Sequence, residues 1–326
     1  MYSDFGLTLG KYVIEKYRPD LEGCSVDIQE MTIHKPLVHK DGPAMLLRIN
    51  VEHDMTNGRA AKMSIYSVDG KGKKTVDHAQ CRLHFERPKV WQENWDSTLY
   101  YVERSIEWLK QKADQGHYSR LSSGVIYKLF SSLVDYSNAY KGIQEAIVNA
   151  EDYEATGLVQ FQVEEGSFEC NPMWIDSCGQ LAGFLMNGHA KTPKDQVFIN
   201  HGWKSFRAVR KFCKDKTYRT YVRMRPMEGT IYGGDVYIFD DEGIVGVCGN
   251  IKVNRFSITL QSSITNLRSS KVFLEKYSTT RCRRRRQQMS LQPLLVSPLL
   301  LLKKYLRQPR LRNLQVALIT LHRFRL

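Results

Sequence analysis

Apolar side chains recur along this chain with two different periods, and the changes of period divide it into elements. Residues 2–17, YSDFGLTLGKYVIEKY, keep apolar positions three and four apart and predict a helix, which ends at Arg18-Pro19 because a residue before proline leaves the helical region. Four strand-like segments follow, at 24–34, 44–54, 60–68 and 74–86. The DGKGKK between the last two supplies turn residues for a hairpin. It is not a phosphate loop: the GxxxxGK[ST] spacing is missing, and it joins strands rather than opening a helix. Residues 91–116 read as a linker holding the helix STLYYVERSIEWLKQKA. Residues 122–148 mix a helix with the start of a strand, and 156–163 predict a strand.

The stretch NPMWIDSCGQLAGFLMN, residues 171–187, predicts a second long helix, with Asn171 as N-cap and Pro172 in the first helical position. At 3.6 residues per turn, Asp176, Gln180, Gly183 and Asn187 fall on one narrow stripe with Gly179 beside it. Almost every other position is apolar, so the helix is expected to be buried. A carboxylate and two amides in a row on such a helix require partners or a cavity. Beyond it, 196–209, 216–227 and 230–253 are strand-like; Tyr218, Thr220, Val222 and Met224 alternate with Arg219, Tyr221 and Arg223. Each half of the chain therefore has one long apolar helix and several antiparallel strands. That is an α+β arrangement in which a curved sheet wraps a central helix. No sequence repeat relates the two halves.

Composition changes this picture only at the C-terminus. The 326 residues are 42% hydrophobic, ample for a core, and carry a net charge of +14. Residues 255–326 hold 16 Lys/Arg against one acid, Glu275, so the rest is close to neutral. Glycine stops at Gly249 and aspartate at Asp241, which leaves this tail short of turn chemistry. It reads as a basic arm for nucleic acid or anionic membrane, as a small helical appendage interrupted by Pro298 and Pro309, or as coding sequence read in the wrong frame. The last is preferred, and no nucleic-acid partner is expected. Seven scattered cysteines contain no CxxC pair, so neither a metal site nor a disulfide framework is expected. With no signal peptide and no apolar run of about 18 residues, a cytoplasmic protein with reduced thiols is expected.

Six segments, YSDFGLTLGKYV, MTIHKPLV, YSNAYKGIQEA, NPMWIDSCGQLAGFLMN, INHGWKSFR and KTYRTYVRM, carry a more specific signal. Together, and in order from residue 1 to about 253, they resemble the product-template domain of fungal non-reducing iterative polyketide synthases. That domain belongs to the double hot-dog group, which includes polyketide and fatty-acid synthase dehydratases. The resemblance implies two fused hot-dog halves: 1–105 with the linker, 106–253, and then the tail 254–326. It also implies regioselective aldol cyclisation and aromatisation of a poly-β-ketone thioester carried on the phosphopantetheine of an acyl carrier protein. The partners it implies are that carrier domain and, as in synthases, a second copy of the chain; no cofactor is bound by the domain itself.

By the same resemblance Asp176 is the carboxylate of a His–Asp dyad. A base that removes a proton between two carbonyls needs a pKa near working pH, which suits imidazole. Gln180 and Asn200 are expected to hold water or substrate carbonyls, with Gly183 and Asn187 on the same cavity wall. In the run 203–225, nine Lys/Arg against one Asp, Arg207 and Arg210 are candidates for a rim that receives the carrier or its phosphate, and a solvated strand face is the plainer reading. His34, His53 and His201 are read as structural or exposed, and Cys178 as a small buried hydrophobe. The family's catalytic histidine lies upstream of the first helix. This chain begins at Met1-Tyr2 within that helix, so the base and the opening strands of the first half are expected to be missing. Whether the chain alone is an enzyme is left open. The rivals are a dehydratase of the same fold and a catalytically dead hot-dog module with a basic binding tail.

Overall fold

The computed structural model describes residues 1–37, 45–53, 58–189, 192–193, 195–257 and 318–320. The N-terminal helix α1 spans Tyr2–Tyr17, and strands β1 (Ser25–Ile33), β2 (Leu46–His53), β3 (Ala60–Val68) and β4 (Lys74–Glu86) follow it. These match the expected segments closely, because one face of each is buried and a period of two then marks the strand. Helix α2 (Pro88–Asp114) begins at Pro88, well ahead of the expected Ser97, and runs through the 105/106 boundary between the expected halves. Next come β5 (Ser119–Ser122), α3 (Ser123–Phe130), β6 (Ile143–Asn149) and β7 (Glu154–Gln160). Helix α4 spans Pro172–Asn187 and is capped by Asn171, whose side chain accepts the Met173 amide at 2.9 Å; such a cap stabilises a helix by roughly 1 kcal/mol. Strands β8 (Gln196–Trp203), β9 (Ser205–Ala208), β10 (Thr217–Pro226), β11 (Ile231–Asp240), β12 (Gly243–Ser257) and β13 (Leu318–Thr320) complete the order. The remainder of the tail from residue 258, and the readings placed on it, lie outside the described residues.

All strand pairings are antiparallel and run in one path, β13-β2-β3-β4-β1-β8-β12-β11-β10-β7-β6-β5, with β9 also on β12. The order discloses a repeat that the residues conceal. After α1, strands β1 to β4 lie in the order β1-β4-β3-β2; after α4, strands β8, β10, β11 and β12 lie in the order β8-β12-β11-β10. Each half is therefore a sheet curved over its own helix, the double hot-dog arrangement. Beside β10 lies β7, and the corresponding place beside β2 holds Leu318–Thr320.

Each helix has its own core. Leu9, Val13 and Ile14 of α1 pack with Ile28, Ile65, Leu83 and Phe85. Leu181, Phe184 and Leu185 of α4 pack with Val159, Tyr218, Val222 and Ile238. The long α2 covers the opposite face of the second sheet, where Trp91, Trp95, Ile106 and Leu109 meet Tyr221, Phe239 and Val247. Strand β10 shows the division: Tyr218, Thr220, Val222 and Met224 face α4 while Tyr221 faces α2. No helix among the described residues is long and apolar enough to cross a membrane.

The halves join along a short seam. Met31 and Thr32 of β1 pair with Trp203 and Gly202 of β8, and the Trp203 indole donates to the Ile28 carbonyl at 3.1 Å. Asp4 of α1 adds a second tie, accepting the Glu169 and Cys170 amides at 2.9 and 3.1 Å just ahead of α4. At Gly202 the backbone has φ of +143°, and a Cβ there would sit 1.9 Å from the Met31 carbonyl oxygen. Substitution Gly202→Ala is expected to cost about 2 kcal/mol or more, read as a lowered melting temperature; an unchanged melt would contradict the seam as described.

Candidate active site

Between the halves lies a cavity of about 660 Å³. One wall is the polar stripe of α4, another is the loop after α3 with Leu133, Val134 and Tyr136, a third is β8, and Met1, Tyr2 and Ser3 close it from the first half. The expected residues Asp176, Gln180, Gly183, Asn187 and Asn200 all border this space. The glycines of the stripe face it directly: a Cβ built on Gly179 or Gly183 would meet no atom within 4 Å.

Asp176 is enclosed by protein, yet its carboxylate stays accessible to a water-sized molecule because it faces the cavity instead of packed side chains. One oxygen, Oδ2, accepts from Gln180 Nε2 at 2.8 Å. The other has no hydrogen-bond partner among the described residues. Burial pushes the Asp176 carboxyl above the ordinary carboxylate range, and the Gln180 bond opposes this only in part.

Gln180 is wholly occupied. The Ile143 amide donates to the Tyr127 hydroxyl at 2.9 Å, and that hydroxyl donates to Gln180 Oε1 at 2.8 Å. The amide nitrogen is thereby turned to the Tyr140 carbonyl, at 2.9 Å, and to Asp176. Gln180 thus orients the carboxylate and has no donor left for a substrate carbonyl, the part expected of it from sequence. Asn187 is committed as well. It donates to the Gly183 and Phe198 carbonyls, both at 3.0 Å, and accepts the Phe198 amide at 2.8 Å, pinning β8 to the end of α4. Asn200 accepts the Gly202 amide at 2.9 Å, and its Nδ2 has no partner among the described residues. It is the amide of the set with a donor free for the cavity.

The expected rim arginines are placed elsewhere. Arg210 is paired with Asp240 through Nε at 2.9 Å and through Nη2. Arg207 turns inward, 4.0 Å from the Asp27 carboxylate and with its guanidinium over the Trp95 ring. Neither borders the cavity. The acidic group Asp240, Asp241 and Glu242 is met by Arg210 and Lys216. Among the described residues no histidine lines the cavity. His78 binds Ser67, and His189 binds the Ala150 carbonyl; the side chain of His53 lies outside the description. Cys178 is buried beside α4's core neighbours, and the six described cysteines are free thiols.

Sequence reasoning missed Tyr127 and Tyr136. The available signal was the run of tyrosines at 127, 136 and 140 in the stretch that leads into β6.

Comparison with known proteins agrees with this architecture. No family profile matches the chain. Among solved structures, the dehydratase domain from the CurK module of curacin polyketide synthase is 16% identical with a TM-score of 0.57, covering 79% of this chain and 82% of that one. The dehydratase domain of the polyketide synthase PpsC from Mycobacterium tuberculosis is 14% identical with a TM-score of 0.59, covering 78% and 82%. The fold is therefore the double hot-dog of polyketide synthase dehydratase domains. In sequence, the chain is 77% identical over 251 residues to Polyketide synthase 1 of Metarhizium guizhouense and 52% identical over 265 residues to Polyketide synthase 2 of Metarhizium anisopliae. These matches cover 77% and 81% of this chain, which spans about 12% of the length of either relative. The chain is a homologue of one segment of fungal polyketide synthases.

Two outcomes check this geometry. Because Gly183 faces open space within a helix, Gly183→Ala should raise stability by roughly 0.5–1 kcal/mol in chemical denaturation; a loss would place packed atoms there. The raised Asp176 carboxyl means that the folded state binds more protons than the unfolded one between its ordinary value of 3.8 and its folded value. Stability therefore falls as pH rises through that window and stays reduced above it. Asp176→Asn, which keeps the acceptor for Gln180, should be more stable than the parent at pH 7. The difference should close as pH approaches 4, and a variant less stable than the parent at pH 7 would contradict the assignment.

Proposed function

We propose that this segment is the product-template domain of a fungal non-reducing polyketide synthase, and that its cavity directs regioselective aldol cyclisation and aromatisation of a poly-β-ketone. The observation that carries this reading is the spread of polar groups through an otherwise apolar chamber, from Asp176 on α4 to Asn200 on β8. A poly-β-ketone has a carbonyl on every second carbon and matches polar groups distributed in this way. At about 660 Å³ the chamber is within the usual range of small-molecule sites, and the open faces of Gly179 and Gly183 let a long chain lie against the helix.

In this reading an imidazole removes a proton from the carbon between two carbonyls. Asp176 accepts from the other ring nitrogen through the oxygen that Gln180 leaves free, which fixes the tautomer and stabilises the imidazolium. The resulting carbon nucleophile attacks a ketone carbon further along the chain. The new alkoxide takes up a proton, and loss of water leads to the aromatic ring. No histidine among the described residues lines the chamber, so in this reading the imidazole is supplied by another part of a longer synthase. The substrate arrives on the phosphopantetheine of an acyl carrier protein. The dehydratase reaction is the rival, since it uses the same pair of groups on a single β-hydroxyacyl unit.

The test replaces the matching segment of the Metarhizium guizhouense synthase with this chain's own residues and analyses the products by mass spectrometry. The unsubstituted segment should yield a cyclised aromatic product. Asp176→Asn should lower its formation by about 10²- to 10⁴-fold in favour of uncyclised or spontaneously closed chains. Products bearing only new carbon–carbon double bonds would favour the dehydratase, and full cyclisation by the Asp176→Asn segment would remove the reading.

A further inference from the structure

Among the polar groups of the chamber that the dyad does not use is Tyr136. Tyr136 lies in the loop between α3 and β6 and borders the cavity. Its ring stands edge-on to Phe130 at 5.2 Å and to Tyr127 at 6.0 Å, and the Tyr140 ring lies 6.4 Å away on another side. Three aromatic neighbours therefore fix the plane of this ring. Its hydroxyl has no hydrogen-bond partner among the described residues.

The neighbouring tyrosines are placed differently. Tyr127 gives its hydroxyl to Gln180, and Tyr140 lends its backbone carbonyl to the same amide without bordering the cavity. Burial first, and then the nearby Asp176 carboxylate, push the Tyr136 phenol well above 10, so it keeps its proton at neutral pH. A neutral, fixed donor beside a carboxylate in an apolar chamber is suited to an oxygen on which negative charge develops.

We propose that Tyr136 is a catalytic hydrogen-bond donor, whose hydroxyl holds the substrate carbonyl oxygen that becomes an enolate when the adjacent carbon is deprotonated. The inference rests on the cyclisation reading above. In the step, the C–H proton passes to the imidazole that Asp176 orients, and the C–H electron pair moves into the new C–C double bond as the carbonyl π pair moves onto oxygen. The Tyr136 proton stays on Tyr136 and only shortens its hydrogen bond. Gln180 cannot fill this place, since both of its amide protons are already donated. Asn200 approaches from the β8 wall and is left to position the remainder of the chain.

The test uses the same grafted synthase with three versions of this segment: unsubstituted, Tyr136→Phe and Asp176→Asn. Phenylalanine keeps the ring contacts and removes only the hydroxyl. The rate of cyclised product formation should fall by about 10²-fold or more, with little change in the carrier-substrate concentration needed for half-maximal rate. Placing 3-fluorotyrosine at 136, which restores the hydroxyl on a ring of nearly the same shape, should return most of the rate and separates a lost donor from a packing defect. A Tyr136→Phe segment that cyclises at the parent rate while Asp176→Asn does not would overturn the proposal and leave the cyclisation reading standing. Failure of 3-fluorotyrosine to restore the rate would also overturn it. Parent-level activity in Asp176→Asn would overturn both.

Discussion

A single hydrogen-bonded run, from the Ile143 amide through the Tyr127 hydroxyl and the Gln180 side chain to Asp176, is the constraint on which the site depends. A carboxylate on an apolar helix is costly unless its oxygens are satisfied. Here one oxygen is held by an amide whose own orientation is imposed from outside the helix, and the other is left toward the cavity. Because the Tyr127 hydroxyl donates to Oε1, the amide cannot flip without losing three bonds at once. The carboxylate is therefore held in one orientation toward the cavity.

The larger architecture serves the same arrangement. The strand pairing between the two hot-dog halves is short, Met31 and Thr32 with Trp203 and Gly202, and a hollow remains between them. Asp4 fastens the start of α1 to the loop ahead of α4 and brings the first residues of the chain to the mouth of that hollow. Asn187 fastens the far end of α4 to β8. The stripe of α4 is thus tied at both ends, while its glycines keep the middle open.

Much of this was legible before the structure, for identifiable reasons. The 3.6-residue period put Asp176, Gln180, Gly183 and Asn187 on one face, and that face borders the cavity. A period of two placed β1 to β4 almost to the residue. What the chain did not disclose is how these groups are spent. Gln180 and Asn187 looked like substrate ligands, but their partners, Tyr127 and the backbone of Phe198, are brought to them only by the tertiary fold. Arg207 and Arg210 looked like a rim because a run of charge gives no direction, and the fold turns one to Asp27 and pairs the other with Asp240. The first turns of α2 carry a signal of their own, since Trp91, Trp95, Val102, Ile106 and Leu109 recur at helical spacing, and the helix extends ahead of the expected Ser97 to Pro88. Strand β5, at four residues, is too short for any period to show.

The central claim is that Asp176 is a carboxylate crowded by protein, held on one oxygen by Gln180 and open to a cavity on the other. Titration of its side-chain carboxyl carbon by 13C NMR, in the chain labelled at aspartate and assigned with Asp176→Asn, measures this directly. A midpoint above 3.8, moving further up when Gln180 is replaced by Leu, is the result the account predicts. A midpoint at or below 3.8, unmoved by that replacement, would contradict it.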